Sequence, residues 1–118
     1  MSHRKESIIY LTLKDEIIGI GALRRIRKNI SEIKLMYIRP AYRRKGYGKA
    51  LLDNLLKKAK EYGYHTVYLD SPPFLTIAHH FYHTHGFIDL EEYPETEVPP
   101  QLRSKWLFME KTLRNTTP

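Results

Sequence analysis

The sequence of 118 residues contains no cysteine. This absence excludes a disulfide framework, a thiolate zinc site and a cysteine nucleophile. No apolar run approaches the roughly 18 residues of a membrane-spanning helix, so we expect no membrane segment. There is also no low-complexity tract, and the amino terminus lacks the pattern of a secretory signal peptide. These absences favour one globular, cytoplasmic domain that covers residues 1–118.

Two successive segments of the chain carry charges of opposite sign, the first mostly basic and the second acidic. Residues 24–60 hold thirteen Lys or Arg residues, and their only acids are Glu32 and Asp53. Residues 61–100 hold seven acids and neither Lys nor Arg. The first segment attracts anions, so nucleic acid and a phosphorylated cofactor are its two candidate ligands. The acidic segment that follows argues against a protein that wraps a nucleic-acid duplex.

Apolar periodicity predicts an α/β fold with the element order βββαβαββ. Three strands joined by tight turns should form an antiparallel meander. The following strand–helix–strand unit should add a right-handed crossover and a parallel pair. The chain end at residues 114–118 should fray. The predicted strands are 8–13, 17–26, 32–38, 66–70, 87–93 and 105–113, and the predicted helices are 46–62 and 76–85.

A basic turn that contains two glycines connects the third strand to the first helix. The first amides of a helix lack intrahelical acceptors, and the helix dipole places about half a positive charge there. Gly46 and Gly48 would let an anion approach the backbone, and the cations from Arg43 to Lys49 would add charge. The arrangement is typical of phosphate binding, although a solvated basic loop with ordinary turn glycines is the alternative.

The spacing of the glycines discriminates among nucleotide-binding motifs. A dinucleotide fingerprint needs a third glycine at the position of Leu51, so the dinucleotide-binding interpretation is weakened. It is not excluded, because Asp70 could serve as the ribose-binding acid. The P-loop motif fails, because Ala50 replaces its Ser or Thr and Arg43 replaces its first Gly.

Two motifs in order carry a resemblance to a known family. The first is Arg-x-x-Gly-x-Gly at residues 43–48, and the second is Ala-x-x-Phe-Tyr-x-x-x-Gly-Phe at residues 78–87, about thirty residues on. With them the sequence resembles the GNAT superfamily of acyl-CoA-dependent N-acyltransferases over about residues 17–113. The resemblance implies a mixed, mostly antiparallel twisted sheet with helices packed on it. It also implies transfer of an acetyl group from acetyl-CoA to a primary amine by direct attack.

The resemblance also implies site residues. Tyr82 would protonate the departing CoA thiolate, with a core aromatic as the alternative, and Glu32 would be the base, with a solvent-exposed strand-end acid as the alternative. The pantetheine arm would pair with Met36–Ile38, and an amide near Tyr37 or Ile38 would bind the oxyanion. The residues implied to bind the cofactor are Met36, Tyr37, Ile38, Arg43, Arg44, Lys45, Gly46, Tyr47, Gly48, Lys49, Ala78 and Phe81.

Other functions remain open at this point. The family normally begins with a further strand and two helices, whereas only about seven residues precede the first strand here. We therefore expect a short member or a truncated form, with a homodimer possible and the acceptor, a small molecule or a peptide amine, undetermined. His79 and His83 are spaced to share a metal, but they lack an accompanying acid, so we expect no metal. A CoA-binding module without chemistry and a nucleic-acid binder are the alternatives, the second the weaker.

Overall fold

A computed structural model describes residues 6–113, and the fold class and element order predicted from the sequence are confirmed. The predicted fraying of residues 114–118 lies outside the described residues. Single 3-10 turns span Pro40–Tyr42 and Pro100–Lys105. The strands and helices are β1 (Ser7–Leu13), β2 (Glu16–Arg27), β3 (Ile30–Ile38), α1 (Tyr47–Glu61), β4 (Thr66–Ser71), α2 (Thr76–Thr84), β5 (Ile88–Leu90) and β6 (Leu107–Thr112).

The six described strands form one sheet in the order β1-β2-β3-β4-β6-β5. The first three strands form the predicted antiparallel meander. β3 and β4 are parallel, as the intervening helix α1 requires, because parallel strands need a crossover connection. β6 then inserts between β4 and β5, antiparallel to both. The sheet is therefore mixed and mostly antiparallel.

Helix α1 forms because its apolar residues recur at helical spacing. Leu51, Leu52, Leu55 and Ala59 are fully buried against one face of the sheet. Burying each leucine side chain stabilises the fold by about 1.5–3 kcal/mol before entropy is counted. The helix is followed by Gly63 at a φ of 88°, the left-handed conformation in which glycine commonly ends a helix. Within residues 6–113, neither helix is long and apolar enough to cross a membrane.

The glycines in β2 allow the helix and the neighbouring strand to approach closely. A side-chain carbon at Gly21 would lie 2.8 Å from Leu55 Cδ1, and one at Gly19 would lie 2.7 Å from Ile38 Cδ1. Real carbon atoms do not approach so closely, so a larger residue at either site would force the Leu55 or Ile38 side chain to move.

A second, smaller core lies on the opposite sheet face, where Tyr68, Tyr93, Val98 and Phe108 pack together. The strand predicted at residues 87–93 is present as β5, but it is shorter than predicted because it ends at Leu90. Tyr93 leaves the sheet instead, and its ring lies 4.7 Å from that of Tyr68. The last strand also begins later than predicted, at residue 107, because residues 100–105 form a 3-10 turn.

Over β1, β2 and β3, the side chains on this second face are largely exposed. Strand register places Ile8 beside Ala22 and Leu35, and Tyr10 beside Ile20 and Tyr37, so these six side chains share one face. The outer four are 43–61% exposed. A groove of about 690 Å³ lies at the Ile8–Leu35 end of this face and is bordered by Arg24 and Lys34. It contains none of the predicted cofactor residues.

Candidate active site

The site is built where two neighbouring parallel strands separate. Pairing between β3 and β4 consists of three residue pairs and ends at Glu32 and Tyr68. β3 continues to Ile38 and β4 to Ser71 without pairing further with each other. Ligands of open α/β sheets bind in such crevices at the carboxyl ends of strands. The open backbone edge of β3 includes Met36–Ile38, the segment predicted to pair with pantetheine.

The glycine turn follows the carboxyl end of β3. Arg44 and Gly46 take positive φ angles of 62° and 86°, and Lys45 between them does not. Left-handed residues in a short turn are typical of backbone nests, whose successive N–H groups bind anions. Gly46 is also the residue that precedes α1, whose first N–H groups have no intrahelical acceptor. No atom lies within 4 Å of the position that a side-chain carbon at Gly46 would take, so the space above the turn is open.

The turn and the second motif meet in space. A side-chain carbon at Gly48 would lie 3.8 Å from the Phe81 ring, which is ordinary van der Waals contact. Phe81 stands on α2, and α2 follows the carboxyl end of β4. The two motifs recognised in the sequence therefore line the two sides of one crevice.

Tyr82 stands on the core side of α2, where its ring meets Phe81 and Phe87 edge to face. Its hydroxyl has no hydrogen-bond partner among residues 6–113, so it is available to a ligand. Burial raises the pKa of Tyr82 from 10 to about 12, and the charge of Asp70 adds to the shift. The phenol consequently remains protonated at neutral pH, as a proton donor must.

Glu32 is only 2% exposed, so the alternative of a solvent-exposed strand-end acid is wrong. Arg24 Nη2 lies 3.0 Å from its Oε1, and the Tyr93 hydroxyl donates to its Oε2 at 2.5 Å. Burial raises the pKa of Glu32 above its ordinary value, although Tyr93 and Arg24 oppose the shift. Both oxygens already accept hydrogen bonds, so Glu32 is held in place by Arg24 and Tyr93. Its role as a base stays a prediction.

The basic side chains of the turn differ in whether they already have a partner within the chain. Arg43 Nε donates to the carbonyl oxygen of Ile38 at 2.8 Å, and its guanidinium lies 5.2 Å from the centre of the Tyr37 ring. Arg43 therefore ties the turn to the end of β3. Lys49 Nζ forms an exposed ion pair with Asp53 at 2.8 Å. Arg44 and Lys45 are exposed and bind no side chain in the described part of the chain.

The other predicted cofactor residues frame the crevice. Ile38 is buried in the main core and Met36 packs against it, while Tyr37 is 45% exposed. Tyr47 begins α1 and meets Tyr42 edge to face at 6.3 Å. Ala78 lies one turn before Tyr82 on α2 and is partly buried.

Sequence reasoning did not connect two charged residues, Asp70 and Arg24, with the predicted acetyltransferase site. Asp70 lies on β4 just beyond the last β3–β4 pair, and Arg24 neutralises the buried Glu32. Alternation along β4 would have placed Asp70 on the same face as Tyr68. No local pattern could have matched Arg24 to Glu32, because their pairing depends on the register between β2 and β3.

The basic and acidic segments neutralise each other in part. Arg27 Nε lies 2.6 Å from Glu95 Oε2, and Lys34 Nζ lies 3.7 Å from Glu97 Oε1. Together with the Arg24–Glu32 pair, these contacts interrupt the basic stripe that a nucleic-acid backbone would need.

The two helix histidines have separate partners. His79 Nε2 donates to the Pro72 carbonyl oxygen at 2.9 Å, and His83 Nε2 lies 2.7 Å from Asp89 Oδ1. Within residues 6–113, no three His, Asp or Glu side chains gather in a metal-binding arrangement.

The sheet is mixed and opens between two parallel strands, with a glycine turn at the end of one of them, which is the fold that the resemblance to the GNAT superfamily implied. The Acetyltransferase (GNAT) family matches residues 1–87. The chain belongs to this family.

Two curated relatives are N-acetyltransferases. The uncharacterised N-acetyltransferase YedL of Escherichia coli is 30% identical over 91 residues, which cover 75% of this chain and 57% of YedL. The amino-acid acetyltransferase of Mycobacterium tuberculosis is 31% identical over 84 residues, which cover 71% of this chain and 45% of that protein. The chain thus matches about half the length of these relatives.

Solved structures share the fold. A GNAT family acetyltransferase from Elizabethkingia anophelis, determined with acetyl-CoA bound, superposes with a TM-score of 0.77 at 20% identity. The superposition covers 92% of this chain and 77% of that one. At this identity the likeness is one of fold.

Proposed function

We propose that the chain transfers an acetyl group from acetyl-CoA to an amine. The observation that carries the proposal is the contact between the glycine turn and α2. The contact joins Gly48 of the turn to Phe81, the neighbour of Tyr82 on α2, and this supports a donor site between the turn and α2. Family membership and the acetyl-CoA bound to a neighbour of the same fold support it.

The residues present fit the donor. Amides of the turn and of the first turn of α1 would hold the diphosphate, with Arg44 and Lys45 adding charge. The open edge of β3 at Met36–Ile38 would pair with the pantetheine amides in the manner of an added strand. One carbonyl on this strand, that of Ile38, is already bonded to Arg43.

Tyr82 would act on the departing sulfur. Full proton transfer from a phenol with a pKa of about 12 to a thiolate with an ordinary pKa of about 8.5 is uphill by about 5 kcal/mol. Tyr82 would therefore donate a hydrogen bond to the sulfur as negative charge develops there. It would give its proton to the sulfur while it takes a proton from the attacking nitrogen.

Calorimetric titration tests the donor site. The wild-type protein should bind acetyl-CoA and CoA at concentrations below about 1 mM, the upper end of ordinary Michaelis constants. Gly46→Val should weaken binding about tenfold or more, since valine must adopt the positive φ and would occupy the open space above the turn. Gly63→Val is the matched control, because Gly63 has a similar φ of 88° but lies at the other end of α1. Equal affinity in the wild type and Gly46→Val would contradict the assigned turn.

A second candidate is a module that binds CoA without chemistry. The occupied oxygens of Glu32 favour it, because they leave the predicted base engaged. This candidate predicts cofactor binding without acetyl transfer to any amine.

A further inference from the structure

Strand β1 lies at one end of the strand order, so no strand among residues 6–113 pairs with its outer side. Its seven residues, Ser7–Leu13, contain no charged residue and no proline. The register with β2 shifts between Leu11 and Thr12 because Ile18 is an extra residue on β2, so β1 itself stays regular. A long, regular and apolar edge with free backbone N–H and C=O groups is a template for another strand.

The opposite edge of the sheet is protected against such pairing. β5 has only three residues, Ile88–Leu90, and one of them is the charged Asp89. Glu91, Glu92 and Pro94 follow it closely. Short length, charge and proline are features by which proteins prevent pairing at a sheet edge. The chain therefore disfavours strand addition at β5 and leaves it open at β1.

Both faces of β1 carry apolar side chains. Ile9 and Leu11 pack against the main core, whereas Ile8 and Tyr10 lie on the opposite face and are 61% and 55% exposed. An added strand would cover apolar side chains on both faces as well as the backbone edge. Pairing would therefore be stabilised by side-chain contacts in addition to main-chain hydrogen bonds.

The sequence of β1 fits a second copy of itself. An antiparallel pair centred on Tyr10 would place Ser7 opposite Leu13 of the other copy, so that every residue of β1 is paired. Ile9 would lie opposite Leu11, so the core-facing sides of the two strands would stay on one face of the joined sheet. A shift by one residue would put core-facing side chains opposite exposed ones.

Charge favours the antiparallel orientation. Glu6 precedes β1 and Lys14 follows it, and both residues are exposed. The antiparallel pair brings Glu6 of one copy to Lys14 of the other at both ends, whereas a parallel pair would bring like charges together. Glu6 Oε2 accepts from the Arg25 amide at 3.3 Å, which holds the carboxylate beside the end of the strand.

On these grounds we propose that β1 pairs with β1 of a second copy of this chain, antiparallel about a two-fold axis at Tyr10. Two six-stranded sheets then form one continuous sheet. A single strand pair is smaller than a standard interface of about 800 Å² per partner, so we expect a Kd of about 1–100 μM. The crevice between β3 and β4 lies two strands inward, so the pairing leaves it open and does not depend on the proposed acetyl transfer.

Analytical ultracentrifugation of the full chain and of two variants tests the position of the axis. Tyr10→Lys places two ammonium groups opposite each other and Tyr10→Glu places two carboxylates there, so the Kd of each variant alone should rise about tenfold or more. An equimolar mixture of the two variants should regain dimers, because an ammonium group then faces a carboxylate. Tyr10 is more than half exposed, so both variants should fold, which circular dichroism checks.

Leu35→Lys distinguishes edge pairing from packing of the exposed sheet face. Leu35 is 43% exposed on that face but stands on β3, away from the edge, so this substitution should leave the Kd unchanged. Hydrogen exchange of the wild type should show β1 amides that become protected as the protein concentration rises through the Kd.

Two results would overturn the inference. One is a wild-type chain that sediments as a monomer at every concentration up to about 500 μM. The other is a dimer that Leu35→Lys abolishes, or that the mixture of folded Tyr10→Lys and Tyr10→Glu chains fails to restore. Either result would leave the proposed acetyl transfer standing.

Discussion

The buried pair Arg24–Glu32 allows a quantitative test of what holds the crevice together. Arg24 is the partner of a carboxylate that is only 2% exposed. Removing the cation by Arg24→Met leaves that carboxylate buried with one hydrogen bond, from Tyr93. Uncompensated buried charges of this kind cost about 3–5 kcal/mol, and we expect about 3 kcal/mol because the Arg24 side chain is 21% exposed.

The complementary substitution should cost much less. Glu32→Gln keeps the shape and removes the buried charge, so the desolvation cost of the carboxylate disappears with it. The amide oxygen can still accept from Arg24, and the Tyr93 hydroxyl can turn to accept from the amide nitrogen. We expect a change of at most about 1 kcal/mol at pH 7, because lost charge-assisted bonds and relieved desolvation nearly cancel.

The pH dependence has a definite sign. The pKa of Glu32 is raised by burial, so the folded state holds this proton more tightly than the unfolded state does. Its contribution to stability is complete below the ordinary pKa of 4.5 and is lost as pH rises through the folded pKa. Arg24→Met should raise that pKa further, so the variant should regain stability as the pH falls from 7.

Urea unfolding, followed by tryptophan fluorescence at pH 5 and pH 7, measures these differences. Arg27→Met is the matched control, because Arg27 makes an exposed ion pair with Glu95 and should shift the midpoint little. The reasoning fails if Glu32→Gln destabilises more than Arg24→Met does. A fall in kcat of about 100-fold or more in Glu32→Gln, with acetyl-CoA affinity kept, would instead make Glu32 the base.

Two further substitutions test the site and the packing. Tyr82→Phe should lower kcat about 100-fold without weakening acetyl-CoA binding. An unchanged kcat would exclude Tyr82 from the chemistry. Because the pKa of Tyr82 is raised, the wild type should lose about 2 kcal/mol of stability between about pH 9 and pH 11.5, and Tyr82→Phe should lack this loss. Gly19→Ala should destabilise by about 1–3 kcal/mol in urea melts, because the added carbon meets Ile38 at 2.7 Å and the Tyr37 carbonyl oxygen at 3.0 Å. A wild-type midpoint for Gly19→Ala would show that β2 and β3 can separate at little cost.

Local patterns predicted most of the fold because they act over a few residues. Alternation gave the three meander strands, helical spacing gave α1, and the glycines at 63 and 86 ended the helices at positive φ. Each of these signals is contained within about one element and its cap.

Long-range pairing accounts for what the sequence did not predict. β5 ends early because the Tyr93 hydroxyl hydrogen-bonds to Glu32, which lies 61 residues away in the sequence. The same contact buries Glu32, which a local pattern could equally place at an exposed strand end. Asp70 was considered as a ribose-binding acid, and its relation to Tyr82 depends on how α2 packs.

The point at which β3 and β4 separate is fixed by polar contacts rather than by an apolar core. Only three residue pairs join these strands, so they contribute little to setting the angle of the crevice. Glu32 receives Arg24 from β2 and Tyr93 from the loop after β5, so three separate segments meet on one carboxylate. The carboxylate of Glu32 therefore joins these three segments at the point where β3 and β4 separate.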